Sequence, residues 1–205
     1  MAAWAAITFH CYLRPSELGR VTREMIIPPT PGTQVTNWAI VLHPSEEEVS
    51  SKTREYDETG VLDLPDFGFL NDVLAYLRRA TPPGQPVFAF AHADLVRNFR
   101  QAAARAGVEC LRPELYMLRH SGASHDRARQ LRSLQEIKLR GRWHCDSSVR
   151  RYQKEGRVGE QLQRLPAAVR ARAISAVLAL PRALARPSLA PWPPGVPASS
   201  SRRSF

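Results

Sequence analysis

The stretch YMLRHSGASHDRARQLRSLQEIKLRGRWHCDSSVRRYQK, Tyr116 to Lys154, holds the densest chemistry in the chain. It sets Arg119 directly before His120, continues to Gly141-Arg142-Trp143, and carries Tyr152 nine residues beyond that tryptophan. A guanidinium clamps phosphate oxygens bidentately. An indole N–H can only donate, and a phenol can act as a covalent nucleophile. In this order the three suit a phosphodiester. The local pattern predicts a helix from Pro113 to about Leu131 and a second over Ser133–Arg140, with Ser133 as N-cap and Gly141 beyond its end. Ser147 is expected to cap a third, short helix, with Tyr152 about one and a half turns in.

Outward from this stretch, charge is unevenly placed. Of the net +10, residues 1–118 carry 11 Lys/Arg against 14 Asp/Glu, whereas 119–157 carry 11 against 4 and 158–205 carry 7 against 1. Basic charge concentrated on the chemical stretch and behind it suits a polyanion, nucleic acid first and an anionic membrane surface a distant second. The bland alternative is a solvated basic surface. The 205 residues suffice for one good core and a tail, and 43% apolar with 23% charged residues is the composition of a soluble globular protein. No apolar run is long enough for a membrane span, and MAAWAAITFHCYL lacks the basic start of a signal peptide. Three widely spaced cysteines, Cys11, Cys110 and Cys145, fit a reduced intracellular compartment.

Toward the amino terminus, residues 4–13 are helix-compatible. Pro15 fits the first turn of a further helix, with Leu18 and Val21 facing the core and an end near Met25. Arg14 then sits at a helix N-terminus, where an anion is favoured; alone it reads equally as the cap of a surface turn. Pro28-Pro29-Thr30-Pro31-Gly32 breaks the chain. Strands are expected over Asn37–Leu42, Val49–Thr53 and Gly60–Leu64, with Lys52 near a hairpin, where a lysine commonly blocks edge pairing. Helices follow over 66–80 and 93–106, Gly107 stopping the second. Residues 159–180 are amphipathic and interrupted by Pro166, and the Ala/Pro/Arg/Ser chain from Pro181 reads as disordered.

With Arg14, Lys52, Arg119, Trp143 and Tyr152 in this order, the chain resembles the tyrosine recombinase (phage integrase) family. LRPSEL at 13–18 is similar to the family's first box, bringing Arg14 and the acid Glu17. Ser51-Lys52-Thr53 looks like the hairpin that bears its lysine, and Tyr116-Met117-Leu118-Arg119-His120 its second box. Gly141-Arg142-Trp143 matches the place of its histidine or tryptophan, and Tyr152 that of its nucleophile. The ending GRW…SVRRYQK looks closer to recombinases of eukaryotic mobile elements, which would place the protein in a nucleus. The second box usually opens with histidine, and this chain has Tyr116. A phenol, with an ordinary pKa near 10, is a poor base.

The resemblance implies an α+β domain over 1–157, mainly helical with a small three-stranded antiparallel sheet. A helical segment over 158–180 and a disordered basic tail over 181–205 would follow. The first box begins only thirteen residues in, so the family's separate amino-terminal clamp on DNA is expected to be missing. It also implies DNA recombination or integration. Tyr152 would attack a phosphodiester to leave a 3′-phosphotyrosyl link, Arg14 and Arg119 would neutralise the phosphorane, and Trp143 would donate to it. Lys52 would protonate the leaving 5′-oxygen. Glu17, Tyr116 and His120 would support the site, with His120 structural. Arg140, Arg142, Arg150, Arg151 and Lys154 would bind DNA. The implied partner is double-stranded DNA, held by a homo-oligomer, with no membrane, cofactor or metal. His10-Cys11 and His144-Cys145 are adjacent pairs, which rarely ligate one ion. Two alternatives stay open: a type IB topoisomerase-like activity, and a DNA-binding remnant without catalysis.

Overall fold

In the computed structural model, which describes residues 1–47, 50, 55–153 and 155–185, helices surround a three-stranded antiparallel sheet. The chain is α+β and mostly helical. The first helix, α1 (Ala2–His10), is apolar on nearly every side, as a helix at the centre of a core must be. Trp4 and Ile7 are fully buried there. A four-residue helix, α2 (Pro15–Leu18), follows with Pro15 at its first position. It stops at Gly19 rather than running to Met25, because the chain must extend into the two-residue strand β1 (Ile26–Ile27).

The sheet order is β1, β2 (Trp38–Leu42), β3 (Glu58–Leu62). Ile26 faces Ile40, and Ile40 faces Gly60 on the other side. Alternation buries Ile40, Leu42 and Leu62 against Leu70 and Leu74 of α3 (Phe69–Ala80). Two of the three expected strands are present, the last beginning at Glu58 rather than Gly60. The strand expected over Val49–Thr53 lies outside the described residues except for Ser50, which is in none. The third strand is β1, too short to leave a period-2 pattern.

The expected helices at 66–80 and 93–106 correspond to α3 and to α4 (His92–Ala106), with Gly107 left-handed at its end. Four further elements build the chemical stretch and its continuation: α5 (Met117–Ala128), α6 (Leu134–Arg140), α7 (Asp146–Arg150) and α8 (Glu155–Gln163). Ser133 caps α6 in a reciprocal box with Glu136, Oγ accepting from the Glu136 N–H at 3.2 Å. Cys145, not Ser147, is the N-cap of α7. Tyr152 then falls in a separate turn of 3-10 helix, Arg151–Gln153. A small second core of Tyr12, Ala123, Ile137, Val149 and Tyr152 underlies this region.

Helix α5 lies against α1 at unusually short range. A Cβ on Gly122 would overlap the Phe9 carbonyl oxygen and come within 2.9 Å of the Tyr12 ring. Only glycine allows this approach, and through it α5 delivers Arg119 and His120 to the site. The last helix, α9 (Ala167–Ala185), begins just after Pro166 and packs on α3. It continues through Pro181, so residues 181–185 are helical rather than the start of a disordered tail; residues 186–205 lie outside the described set. One proline removes a single helical hydrogen bond, and Leu184 beyond it packs on the main core. No described helix is long and apolar enough to cross a membrane.

Candidate active site

Arg14 is the N-cap of α2, with extended backbone angles. Glu17, one turn on, accepts from the Arg14 N–H at 2.6 Å and from its Nη1 at 2.7 Å. The same carboxylate accepts from Arg142 Nη2 at 2.9 Å. Arg142 has a left-handed backbone, φ 53°, which turns its side chain inward. There its Nη2 also donates to the Tyr12 carbonyl at 3.2 Å, and its Nε lies 3.4 Å from Glu58 Oε2.

The Tyr12 carbonyl has a second donor. Arg119 Nη1 reaches it at 2.7 Å, while Arg119 Nη2 donates to the Gly141 carbonyl. Arg14, Glu17, Arg142 and Arg119 are therefore one connected cluster, drawn from α2, the turn after α6, and α5. Tyr12 itself is in the left-handed region at φ 49°, a strained position for an aromatic residue. Its hydroxyl donates to Asp126 at 2.5 Å, and Arg132 holds Asp126 at 2.9 Å. That buried network fixes the carbonyl on which two arginines converge. Sequence reading missed it, because Tyr12 and Asp126 are 114 positions apart.

Arg119 is 1% exposed, and burial, with Arg142 alongside, pulls its pKa down to about 10. It is still a cation at neutral pH. Its guanidinium lies 4.7 Å over the Trp143 ring. Gly141 keeps this turn tight, since a Cβ there would overlap the Trp143 ring. Trp143 in turn lies 5.4 Å from the Tyr152 ring and is parallel to the His120 imidazole, centroids 6.3 Å apart.

Tyr152 is 5% exposed, and its hydroxyl lies 2.5 Å from His120 Nδ1. Burial pushes the phenol's pKa up and the imidazole's down to about 4, Arg151 and Arg119 adding to the second shift. The imidazole is therefore neutral at pH 7. With the phenol donating, Nδ1 is the acceptor and the proton sits on Nε2. Tyr116 is exposed and meets His120 edge-on, centroids 4.9 Å apart. His120 was expected to be structural; its contact with the phenol is the feature that sequence reading missed. The available signal was its i, i+4 spacing from Tyr116, which puts both rings on one helical face.

Two residues expected to bind DNA do otherwise. Arg142 is the buried brace described above, its side chain 7% exposed. Arg140 donates to the His10 carbonyl at 3.0 and 3.1 Å and to the Val61 carbonyl at 2.6 Å, and pairs with Asp63 at 3.2 Å. It ties α1 to β3. Both sit where the chain turns inward, which a count of basic residues does not reveal. Arg150 and Arg151 are exposed. Lys52 and Lys154 lie outside the described residues.

Glu17, His43 and Glu58 have potential ligand atoms within 4.8 Å of one another. Both Glu17 oxygens already accept from arginine and Glu58 lies against Arg142, so these two carboxylates face guanidinium groups. Comparison with protein-family models, with curated proteins and with solved structures finds no match for this chain. What the site can do follows from its chemistry: a buried phenol hydrogen-bonded to a neutral imidazole, beside an indole and three guanidiniums.

Proposed function

We propose that this protein cleaves and rejoins double-stranded DNA through a 3′-phosphotyrosyl link at Tyr152, as a site-specific recombinase or integrase acting as a homo-oligomer on its DNA. The observation that carries this reading is the 2.5 Å contact between the Tyr152 hydroxyl and His120 Nδ1. A phenol with a raised pKa needs a base at hydrogen-bond distance, and a neutral imidazole is one. The phenolic oxygen attacks phosphorus, its proton passes to His120, and the 5′-oxygen leaves. Lys52 supplies the proton to that oxygen. Arg14 stabilises the phosphorane directly. Arg119 joins it once phosphate oxygens replace the Tyr12 and Gly141 carbonyls as acceptors; otherwise it positions Trp143. Tyr116 is relieved of the base role that its place in the second box implies. The phosphodiester energy is kept in the covalent link, so religation needs no nucleotide cofactor.

A second reading has its own observation. Tyr152 is 5% exposed, and both Nη groups of Arg119 are spent on backbone carbonyls. A protein that only binds DNA could keep these residues as core. A covalent DNA adduct on Tyr152 separates the two readings, since only the enzyme forms it.

A further inference from the structure

A cleft of about 480 Å³ opens between α2, α4 and the start of α5. Its walls are apolar and aromatic, with Val96, Phe99 and the exposed ring of Tyr116. Arg14, Arg100 and His92 line it as well, and Arg100 and His92 are exposed. A second cleft of about 320 Å³ adjoins it, sharing Arg100 and adding Arg112. The pair forms a furrow with aromatic walls in its first cleft, and with Arg100 and Arg112 alongside the carboxylates of Glu109 and Glu114 in its second. The carboxylate of Glu114, common to both, is suited to accept from an exocyclic amine.

We propose that this furrow binds a single-stranded segment of DNA, with one unstacked base against Tyr116 and Phe99, its phosphates on Arg100 and Arg112, and its end at Arg14 beside the scissile phosphate. The inference rests on the DNA-cleaving reading and names what that site holds besides the scissile phosphate. The first cleft has the size of a small-ligand pocket and cannot admit a duplex, whose major groove alone is about 12 Å wide. Cationic grooves with aromatic platforms are the general solution for single strands, because every base has a face to stack. The furrow starts at Arg14 and ends on Tyr116, whose ring touches His120. An occupant would therefore adjoin the Tyr152–His120 pair. Tyr116 thus gains a role: it is a wall of the strand site, where an imidazole would offer less stacking surface.

The test uses the full chain and a labelled mixed-sequence DNA octamer, followed by fluorescence anisotropy. Tyr116→Ala should weaken binding about tenfold and Arg100→Gln about threefold to fivefold, with unchanged thermal melts. Binding to a blunt hairpin duplex should change less than twofold in Tyr116→Ala. Irradiation of a 5-iodouracil octamer should give crosslinks at Tyr116, Phe99 or His92. Octamer binding unaltered in both variants, or crosslinks confined to residues outside the furrow, would overturn the proposal. So would competition by inorganic phosphate at the concentrations at which dAMP competes, which would mark an anion site alone. A Tyr152 adduct without crosslinks in the furrow removes this inference and spares the cleavage reading. Crosslinks without an adduct do the reverse.

Discussion

The hydroxyl of Tyr152 and Nδ1 of His120 are 2.5 Å apart, although 32 positions separate them in the chain. The contact makes His120 the base of the proposed reaction. His120→Ala should lower the rate of covalent adduct formation on a nicked duplex by about 10²- to 10³-fold, with binding of the same duplex held within about twofold. The pH profile adds a readout that a packing role would not move. With an imidazole pKa of about 4, cleavage should be flat through neutrality and fall below about pH 5 as the acceptor protonates. In His120→Ala that acid limb should vanish; its persistence would assign it to another group.

Arg142 braces Glu17, the Tyr12 carbonyl and Glu58 from a side chain that is 7% exposed. Arg142→Ala leaves buried Glu58 without its ion-pair partner and Glu17 held by Arg14 alone, and should cost about 3–5 kcal/mol, measured by urea denaturation. Arg150→Ala, at an exposed position, should leave the midpoint unchanged and weaken DNA binding with a shallower salt dependence. The reverse pattern would return Arg142 to the DNA surface.

Gly141→Ala places a methyl group where the Trp143 ring lies. The expected loss is about 1–3 kcal/mol of stability together with a slower adduct step, because Trp143 is displaced from Arg119 and Tyr152. An unaltered near-ultraviolet circular dichroism spectrum in this variant would show that the indole was never held by the turn.

Acid should destabilise the fold well before its carboxylates titrate. Burial depresses His10 to about 3 and His120 to about 4 from an ordinary 6.5. The unfolded chain takes up these protons first, so their contribution is complete above pH 6.5 and shrinks as pH falls toward the folded values. Between about pH 6.5 and pH 5 stability should drop by about 2–4 kcal/mol. In His10→Phe the drop should be smaller; an equal drop would locate the effect elsewhere.

Much of the scaffold was legible because long amphipathic segments advertise themselves. Leu70, Val73 and Leu74 mark α3, and Ser133 marks the start of α6. The strand β1 was not, since two residues carry no period. The sequence also singled out Arg14, Arg119, Trp143 and Tyr152, which the fold brings into one neighbourhood. Which way each side chain faces was not legible. Arg140 and Arg142 read as surface charge and are buried braces, because their partners, the carbonyls of His10, Tyr12 and Val61, belong to backbone far away in sequence. The carbonyl of Tyr12, aimed by a left-handed backbone, has no sequence signature at all.

The most direct measurement is mass spectrometry of the protein after incubation with a library of nicked duplexes that trap a cleaved end. A tryptic peptide containing Tyr152 should carry a 3′-linked nucleotide remnant, and Tyr152→Phe should abolish it while leaving duplex binding intact. No nucleotide on any tyrosine, or a remnant that persists in Tyr152→Phe, would contradict the assignment of Tyr152 as the attacking group.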